Sequence, residues 1–324
     1  MPIILHTAKY SGEPLSILQS SCPIGYTVKT LDDASTERLL NEVTDAEYLL
    51  VSGRLPIDKA VLDAAPHLKM IQRTGVGIEM LDLNIIQQRG IPVYVNVAVN
   101  ARSVAEHTLT LILALLKRLP QINTKTHNCV WMKQQQGITT HELYEKTVGL
   151  VGMGSIGRIV ATMLKSFGAK VLYTDVVRQN DEVEAKLGLT YCKSYESMLP
   201  QCDILSFHCP LTKENTEMLN KRTLSMMKDN SIVVNTARGK LINPDDLYEA
   251  LTSGHIKAAA LDTHYEEPLK ESYKLAELDN VILTPHIGGL SFEAFVRMIT
   301  ASMENIKAFE EGRLEEIEDK RLKL

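Results

Sequence analysis

Residues 147–175, TVGLVGMGSIGRIVATMLKSFGAKVLYTD, decide the fold. The stretch opens on an apolar run, TVGLV, and passes through Gly152-Met153-Gly154-Ser155-Ile156-Gly157 into a helix-like segment, RIVATMLKSFG. A second apolar run, KVLYTD, follows and ends in Asp175. Strand, glycine-rich turn, helix and strand in that order make a βαβ unit carrying the G-x-G-x-x-G pattern of a dinucleotide site. The first glycine permits the tight turn, the second lets backbone approach a pyrophosphate, and the third lets the helix pack on the strand. N–H groups at the start of the helix offer donors and positive potential to that anion. Asp175, eighteen residues after Gly157, stands where a carboxylate accepts both hydroxyls of an adenosine ribose and repels a 2′-phosphate. The cofactor expected is NAD, although Arg178 is close enough to meet the phosphate of NADP if its loop turns inward.

The alternation extends in both directions. Downstream, LTYCK, DILSFHC, SIVVNTA, AAALD and VILTP read as further strands. Upstream, PIILHTA, YTVKTL, EYLLVS, LKMIQRTG and IPVYVNV read as strands, with STERLLNEVTDA, DKAVLDAAP and DLNIIQQRG as helices between them. The pattern predicts an α/β protein with two Rossmann-like, doubly wound parallel sheets. Between them ARSVAEHTLTLILALLKRL is a long amphipathic helix, stopped by Pro120. A chain of 324 residues suits two domains of about 100–200 residues each. Residues 291–311 form a helical pattern with no strand after it, so this segment is expected to return to the first domain. The substrate domain is then discontinuous, residues 1–99 and 287–324, with the cofactor domain, residues 100–286, inserted into it. Hinges are expected near Asn100 and Ile287, with a cleft between the domains.

Composition narrows the class. Net charge is −5 and no long basic block occurs, which argues against nucleic acid as a partner. The longest apolar stretch, residues 109–116, is far below the ~20 residues of a membrane span, and MPIILHTAKY does not read as a signal peptide. Five cysteines form no CxxC pair and read as reduced thiols of a cytoplasmic protein. His208 beside Cys209 has no second pair at ligand spacing, so no metal is expected.

Three polar residues each follow an apolar run of the second half: Arg238 after SIVVNTA, Glu267 after AAALDTHYE and His286 after VILTP. In an open parallel sheet the carboxyl ends of the strands converge on the ligand crevice. Reduction of a 2-oxo acid needs a grip on the carboxylate, which a bidentate Arg provides. It also needs an acid that titrates near working pH, usually His, and a carboxylate that orients the imidazole and favours its charged form. Taken singly, Arg238 is equally readable as a surface cation and His286 as a core histidine, while Glu267 reads better as a solvated turn residue. Together they point to dehydrogenation of a 2-hydroxy acid.

At these residues the chain resembles the D-isomer-specific 2-hydroxyacid dehydrogenases. The resemblance runs through RTGVGIEMLDL, NARSVAEHTLTLILAL, KTVGLVGMGSIGR, HCPLTKENTEMLN, MKDNSIVVNTARGKLINPDDLYEAL, AAALDTHYEEP and LTPHIGG, and so covers nearly the whole chain. It implies Arg238 as the substrate-carboxylate arginine, Glu267 and His286 as the acid/base pair, and Asp262 facing the nicotinamide carboxamide. Ser155 and Ile156 then lie over the pyrophosphate, Cys209, Pro210 and Asn215 around the adenosine, and Thr236 and Ala237 near the nicotinamide. Backbone N–H groups of Val76 and Gly77 match the loop that grips the substrate carboxylate. Asn100 matches the hinge asparagine, and residues 102–107 begin the helix that the family uses to form homodimers.

Two segments depart from the family pattern. The first loop reads Gly77-Ile78-Glu79-Met80-Leu81-Asp82 where GVDNID is usual, and the hinge reads Asn96-Val97-Ala98-Val99-Asn100 where NxPGxN is common. The substrate side chain is expected to face Val51-Ser52-Gly53-Arg54-Leu55 and the residues around Val76. A phosphoglycerate dehydrogenase should present cations there. Arg73 matches one such position and Arg54 offers another, but Val51 stands where an arginine is frequent, and no C-terminal regulatory domain follows Leu324. The favoured substrate is a small or aliphatic 2-oxo acid, with D-3-phosphoglycerate, hydroxypyruvate or glyoxylate as alternatives. A non-enzymatic alternative is an NAD(H)-sensing protein like the corepressor relatives of the family, which keep the same three residues.

Overall fold

The computed structural model describes every residue from Met1 to Leu324 except Arg54. The chain divides into two compact units, one formed by Met1–Asn100 with Ser291–Leu324 and the other by Ala101–Leu290.

The first unit is built on five short strands, β1 (Ile3–His6), β2 (Thr27–Thr30), β3 (Tyr48–Val51), β4 (Met70–Arg73) and β5 (Val93–Tyr94). They form one parallel sheet in the order β2-β1-β3-β4-β5. Every residue of the central β3 is buried, as expected of a strand covered on both faces. Helices Thr36–Glu42, Lys59–Asp63 and Leu83–Gln88 start where a side chain takes up an orphan N–H: Ser35 from Arg38, Asp58 from Val61 and Asp82 from Ile85. A further helix, Gly12–Ser20, has no such signature, since Ser11 makes no capping bond and Leu18 alone is buried. The helix Phe292–Glu310 buries Ile299, Met303 and Ile306 in a cluster with Ile4, Tyr48, Leu50, Met70 and Tyr94.

That returning helix is also held by a buried polar network. The Asn96 amide donates to the Met298 carbonyl (3.0 Å) and the Ser302 hydroxyl (2.9 Å). The Asn305 amide donates to Gln72 Oε1 and Asn96 Oδ1, both at 3.2 Å, and its oxygen accepts from Lys320 at 3.0 Å. Gln72, Asn96, Ser302 and Asn305 are all at most 2% exposed. Such a network stabilises only when complete.

The second unit contains β6 (Thr147–Val151), β7 (Lys170–Thr174), β8 (Leu189–Tyr191), β9 (Ile204–Phe207), β10 (Ser231–Asn235), β11 (Ile256–Leu261) and β12 (Val281–Leu283). They make a parallel sheet in the order β12-β11-β10-β9-β6-β7-β8. The order reverses between β6 and β9, the switch point at which α/β sheets bind ligands. Helices Ala101–Lys117 and Ser155–Ser166 bury Ala105, Leu111, Ile112, Leu115, Val160 and Leu164 with Leu150, Val234 and Ala260 of the sheet. The long helix ends at Arg118, which takes a left-handed conformation at φ +51°. Pro120 does not stop it but sits in the first turn of the next helix, Leu119–His127, where a missing N–H costs nothing. Among the described residues no helix is long and apolar enough to cross a membrane, and no cluster of three or more His, Cys, Asp or Glu side chains could hold a metal.

Asn305→Ala leaves Gln72, Asn96 and Lys320 short of partners. The expected loss of stability is about 1–3 kcal/mol, read as a lower midpoint in urea denaturation followed by circular dichroism. An unchanged midpoint would contradict the network.

Candidate functional site

The glycine-rich turn after β6 is shaped by close approach. Gly152 has φ +99°, and a Cβ there would lie 2.7 Å from the Cys209 nitrogen and the His208 carbonyl carbon. A Cβ on Gly157 would lie 2.3 Å from the Gly152 carbonyl oxygen. On Gly154 it would meet nothing within 4 Å, so this glycine faces open space. Gly154 is also the N-cap of helix Ser155–Ser166 and gives no side-chain cap, which leaves the first-turn N–H groups of Ser155 and Ile156 open to an anion. This cradle fits a dinucleotide pyrophosphate.

Asp175 follows β7. Its Oδ2 accepts from the Met153 N–H (2.5 Å) and its Oδ1 from the Val177 N–H (3.0 Å), so the carboxylate is fixed at the turn while each oxygen keeps a free lone-pair direction. Arg178 turns away from that role. Its guanidinium forks onto Glu184 (Nε 2.9 Å, terminal nitrogen 2.8 Å) and lies over the Tyr191 ring at 5.3 Å. The Arg178 bonds, with one from the Tyr173 hydroxyl, hold the Glu184 carboxyl down at about 2.

Across the switch point, the His208 N–H donates to the Val151 carbonyl (2.7 Å). Burial pushes the Cys209 thiol up to about 11, so it is not a reactive thiolate. Asn215 folds its own loop, donating to the Pro210 carbonyl (2.8 Å) and accepting from the Thr212 N–H (2.7 Å). The buried Thr236 hydroxyl meets that of Thr108 at 2.9 Å, and the Ala237 N–H donates to Asn235 Oδ1 at 3.0 Å.

Arg238, Glu267 and His286 follow β10, β11 and β12, three adjacent strands of one parallel sheet. Arg238 donates to the Ala237 carbonyl (2.8 Å), and its own carbonyl accepts from Asn235 (2.8 Å). Glu267 Oε1 accepts from the His264 N–H (2.9 Å), and Oε2 lies 2.9 Å from His286 Nδ1. With Nδ1–H committed to the carboxylate, Nε2 is the nitrogen left to exchange a proton with a ligand. The His286 side chain is 45% exposed, against 19% for Glu267.

Asp262, one residue beyond β11, is 1% exposed. It accepts from the Ile287 N–H (2.9 Å), the Gly288 N–H (2.8 Å) and the Thr284 hydroxyl (2.5 Å), with His107 Nε2 at 3.4 Å. Burial pushes its carboxyl up, but bonds from His107, Thr284, Ile287 and Gly288 outweigh burial and hold it down at about 2. His107, Thr284 and Ser103 have no site signature in the sequence beyond the i, i+4 spacing of Ser103 and His107 on one helix face.

In the first unit, residues 74–77 follow β4. Asn96 holds two of their carbonyls, its side chain donating to Thr74 (3.1 Å) and its N–H to Gly75 (3.3 Å). Arg73 Nε donates to the Gly77 carbonyl (2.6 Å), and a second guanidinium nitrogen donates to the Val51 carbonyl (3.2 Å). Among the described residues no acceptor meets the N–H groups of Gly75, Val76 or Gly77. These N–H groups are donors that an anionic ligand could meet. Arg54, the other cation considered for this region, lies outside the described residues.

A switch-point turn for a pyrophosphate, a ribose-directed carboxylate and a His–Glu pair on neighbouring strands define an NAD-linked dehydrogenase. Comparison with known proteins makes the class specific. Residues 109–288 match the family described as D-isomer specific 2-hydroxyacid dehydrogenase, NAD binding domain. The glyoxylate reductase of Thermofilum pendens is 36% identical over 313 residues, 96% of this chain and 92% of that protein. The D-3-phosphoglycerate dehydrogenase of Mycobacterium tuberculosis is 34% identical over 307 residues; the match takes in 95% of this chain but only 56% of that longer protein. Among solved structures, D-lactate dehydrogenase from Aquifex aeolicus, complexed with NAD and lactic acid, superposes with a TM-score of 0.83 at 30% identity, covering 99% of this chain and 98% of that one. The chain belongs to the D-isomer specific 2-hydroxyacid dehydrogenase family, and is an NAD-dependent oxidoreductase acting on the CH–OH group of 2-hydroxy acids.

With Arg178 forked onto Glu184, Asp175 is the residue whose substitution tests cofactor preference. Asp175→Ala should weaken NADH binding and raise the NADPH:NADH ratio of kcat/KM by at least about tenfold, the loss of one charge-assisted bond of about 1.5–3 kcal/mol. Steady-state kinetics with both cofactors checks it, and a ratio unmoved by the substitution would remove Asp175 from the ribose.

Proposed function

We propose that the chain reduces a small 2-oxo acid, of the size of glyoxylate or pyruvate, to its D-2-hydroxy acid, and catalyses the reverse reaction. The observation that carries this reading is the 2.9 Å contact between Glu267 Oε2 and His286 Nδ1 at the carboxyl edge of the sheet. Arg238 takes the substrate carboxylate with its planar fork; in the first unit, the N–H groups of Val76 and Gly77 are the donors directed at a carboxylate. His286 gives its Nε2 proton to the carbonyl oxygen as charge develops there, and Glu267 stabilises the imidazolium beforehand and keeps the ring oriented. NAD(H), when bound, supplies or takes the hydride at the substrate C2. Gly152, Gly154, Ser155, Ile156 and Gly157 hold its pyrophosphate, and Asp175 its ribose. Cys209, Pro210 and Asn215 border the adenosine, while Thr236, Ala237 and Asp262 line the nicotinamide end.

Arg73 favours the small substrate over phosphoglycerate. Among the described residues it is the cation considered for a phosphate, and it already holds the Gly77 and Val51 carbonyls. The near end-to-end match to a glyoxylate reductase supports the same choice. The domain roles follow: residues 1–99 and 287–324 serve the substrate, residues 100–286 the cofactor. A homodimer is supported by exposed apolar side chains on residues 119–138, with Leu119 at 57%, Trp131 at 79% and Ile138 at 86% exposed. Five free cysteines support a reducing, cytoplasmic setting.

The substrate assignment is tested by NADH oxidation with glyoxylate, pyruvate, branched-chain 2-oxo acids and 3-phosphohydroxypyruvate. Highest kcat/KM for the phosphorylated acid would replace the small-substrate reading, and turnover of none would end it. Arg238→Lys keeps the charge but loses the fork. It should lower kcat/KM for the oxo acid by at least about tenfold, since a charge-assisted bond contributes about 1.5–3 kcal/mol, while NADH affinity holds.

The acid/base pair is tested by substitution. His286→Ala removes the proton donor and should lower reductive kcat by about 10²–10⁴, the usual worth of a positioned acid/base group. Glu267→Gln keeps the shape but loses the charge that orients the ring, and should lower kcat in the same direction with NADH affinity unchanged. Wild-type kcat in both variants would dissolve the pair.

A further inference from the structure

His286 sits in a turn that its own sequence does not stabilise. Its backbone is left-handed, φ +58°, a conformation unfavourable for a non-glycine residue. The turn is gripped from outside, and much of the grip comes from one face of helix Ala101–Lys117. Ser103 Oγ donates to the Gly288 carbonyl at 2.9 Å. One helical turn further on, His107 Nε2 lies 3.1 Å from Thr284 Oγ1 and 3.4 Å from Asp262 Oδ1. The Thr284 hydroxyl spends its proton on Asp262, so toward His107 it is an acceptor and the imidazole Nε2–H is the donor. Asp262 in turn accepts the Ile287 and Gly288 N–H groups, the two peptides that follow His286. Contact is close on every side: a Cβ on Gly288 would lie 2.9 Å from Asp262 Oδ2 and 3.2 Å from the His107 ring.

We infer that His107, assisted by Ser103, is a positioning residue for the proton-transfer histidine. It holds Thr284 and Asp262 at one end of the turn while Ser103 holds Gly288 at the other, so that the His286 ring meets Glu267. The inference rests on the acid/base role of His286 proposed above. Neither Ser103 nor His107 touches a reacting atom, so the effect is on kcat rather than on cofactor affinity; a misplacement of about 1 Å in a catalytic group costs up to about 10²-fold.

The test uses the full-length enzyme. His107→Phe keeps a ring in the space but deletes the N–H donor. It should lower kcat for oxo-acid reduction by about tenfold or more, with the NADH dissociation constant, measured by nucleotide fluorescence, unchanged within about twofold. His107→Gln, which restores an N–H donor, should recover kcat to within about threefold of wild type. Ser103→Ala, a smaller deletion, should lower kcat in the same direction and give a folded protein to measure if the Phe variant does not. Wild-type kcat in both the Phe and Ala variants overturns the inference. So does an equal loss in Phe and Gln, because the donor would then be irrelevant, and so does a fall in NADH affinity that parallels kcat. His286→Asn separates the two claims: if it keeps wild-type kcat the acid/base reading itself fails, whereas if it is inactive while His107→Phe is not, the positioning role alone fails.

Discussion

A carboxylate with 1% of its surface exposed cannot remain ionised unless donors surround it, and the geometry of the cofactor unit depends on how Asp262 meets that requirement. Its donors come from Thr284, Ile287 and Gly288, with His107 nearby, so the charge that β11 delivers fixes the segment after β12. The bonded carboxyl titrates at about 2, below its unfolded value near 3.9. Its stabilisation is therefore fully present above the unfolded value and lost only as pH falls through the folded one. Across any working pH the clamp is constant. The turn that carries His286 is therefore held the same way at every such pH.

The other fixed point is steric. Gly152 and Gly157 are glycines because backbone occupies the space a Cβ would need, whereas Gly154 opens onto empty space. The first two compress the strand-to-helix turn against the end of β9, and the third leaves helix N–H groups uncovered. A turn tightened in this way has little left to reorganise when an anion arrives, which is how preorganised donors gain strength in a shielded site.

Both features differ in how far the sequence reveals them. The dinucleotide turn was legible because strand, glycines, helix and acid are neighbours along the chain; all seven strands of the second sheet and the five of the first were equally visible as apolar runs. The contact between Glu267 and His286 spans nineteen residues but follows from strand order, since β11 and β12 are adjacent. What escaped were contacts set by tertiary packing alone. Ser103 meets Gly288 across 185 residues, His107 meets Thr284 across 177, and Asn96 meets Ser302 across 206. No local pattern encodes these pairings. Pro120 misled because the same residue ends one helix and begins the next, and the left-handed Arg118 that separates them has no sequence mark. Helix Gly12–Ser20, uncapped and burying only Leu18, has no strong period to read. Arg178 was ambiguous until Glu184 was seen to hold it.

Arg238 and residues 75–77, the groups proposed for the substrate carboxylate, present their donors in different ways. Arg238 offers charge on a side chain whose backbone is tied down, its carbonyl accepting from Asn235. Residues 75–77 carry no charge of their own and instead present N–H groups, made available because Asn96 and Arg73 occupy the carbonyls of Thr74, Gly75 and Gly77. A side-chain fork can be reoriented by whatever binds beside it; a loop whose carbonyls are pinned has less freedom to do so. Committing Arg73 to this task removes it as a ligand for a distal phosphate. On the small-substrate proposal, Arg73 shapes the loop after β4 instead of meeting a substituent. Selectivity at that position then rests on shape and polarity rather than on the Arg73 charge.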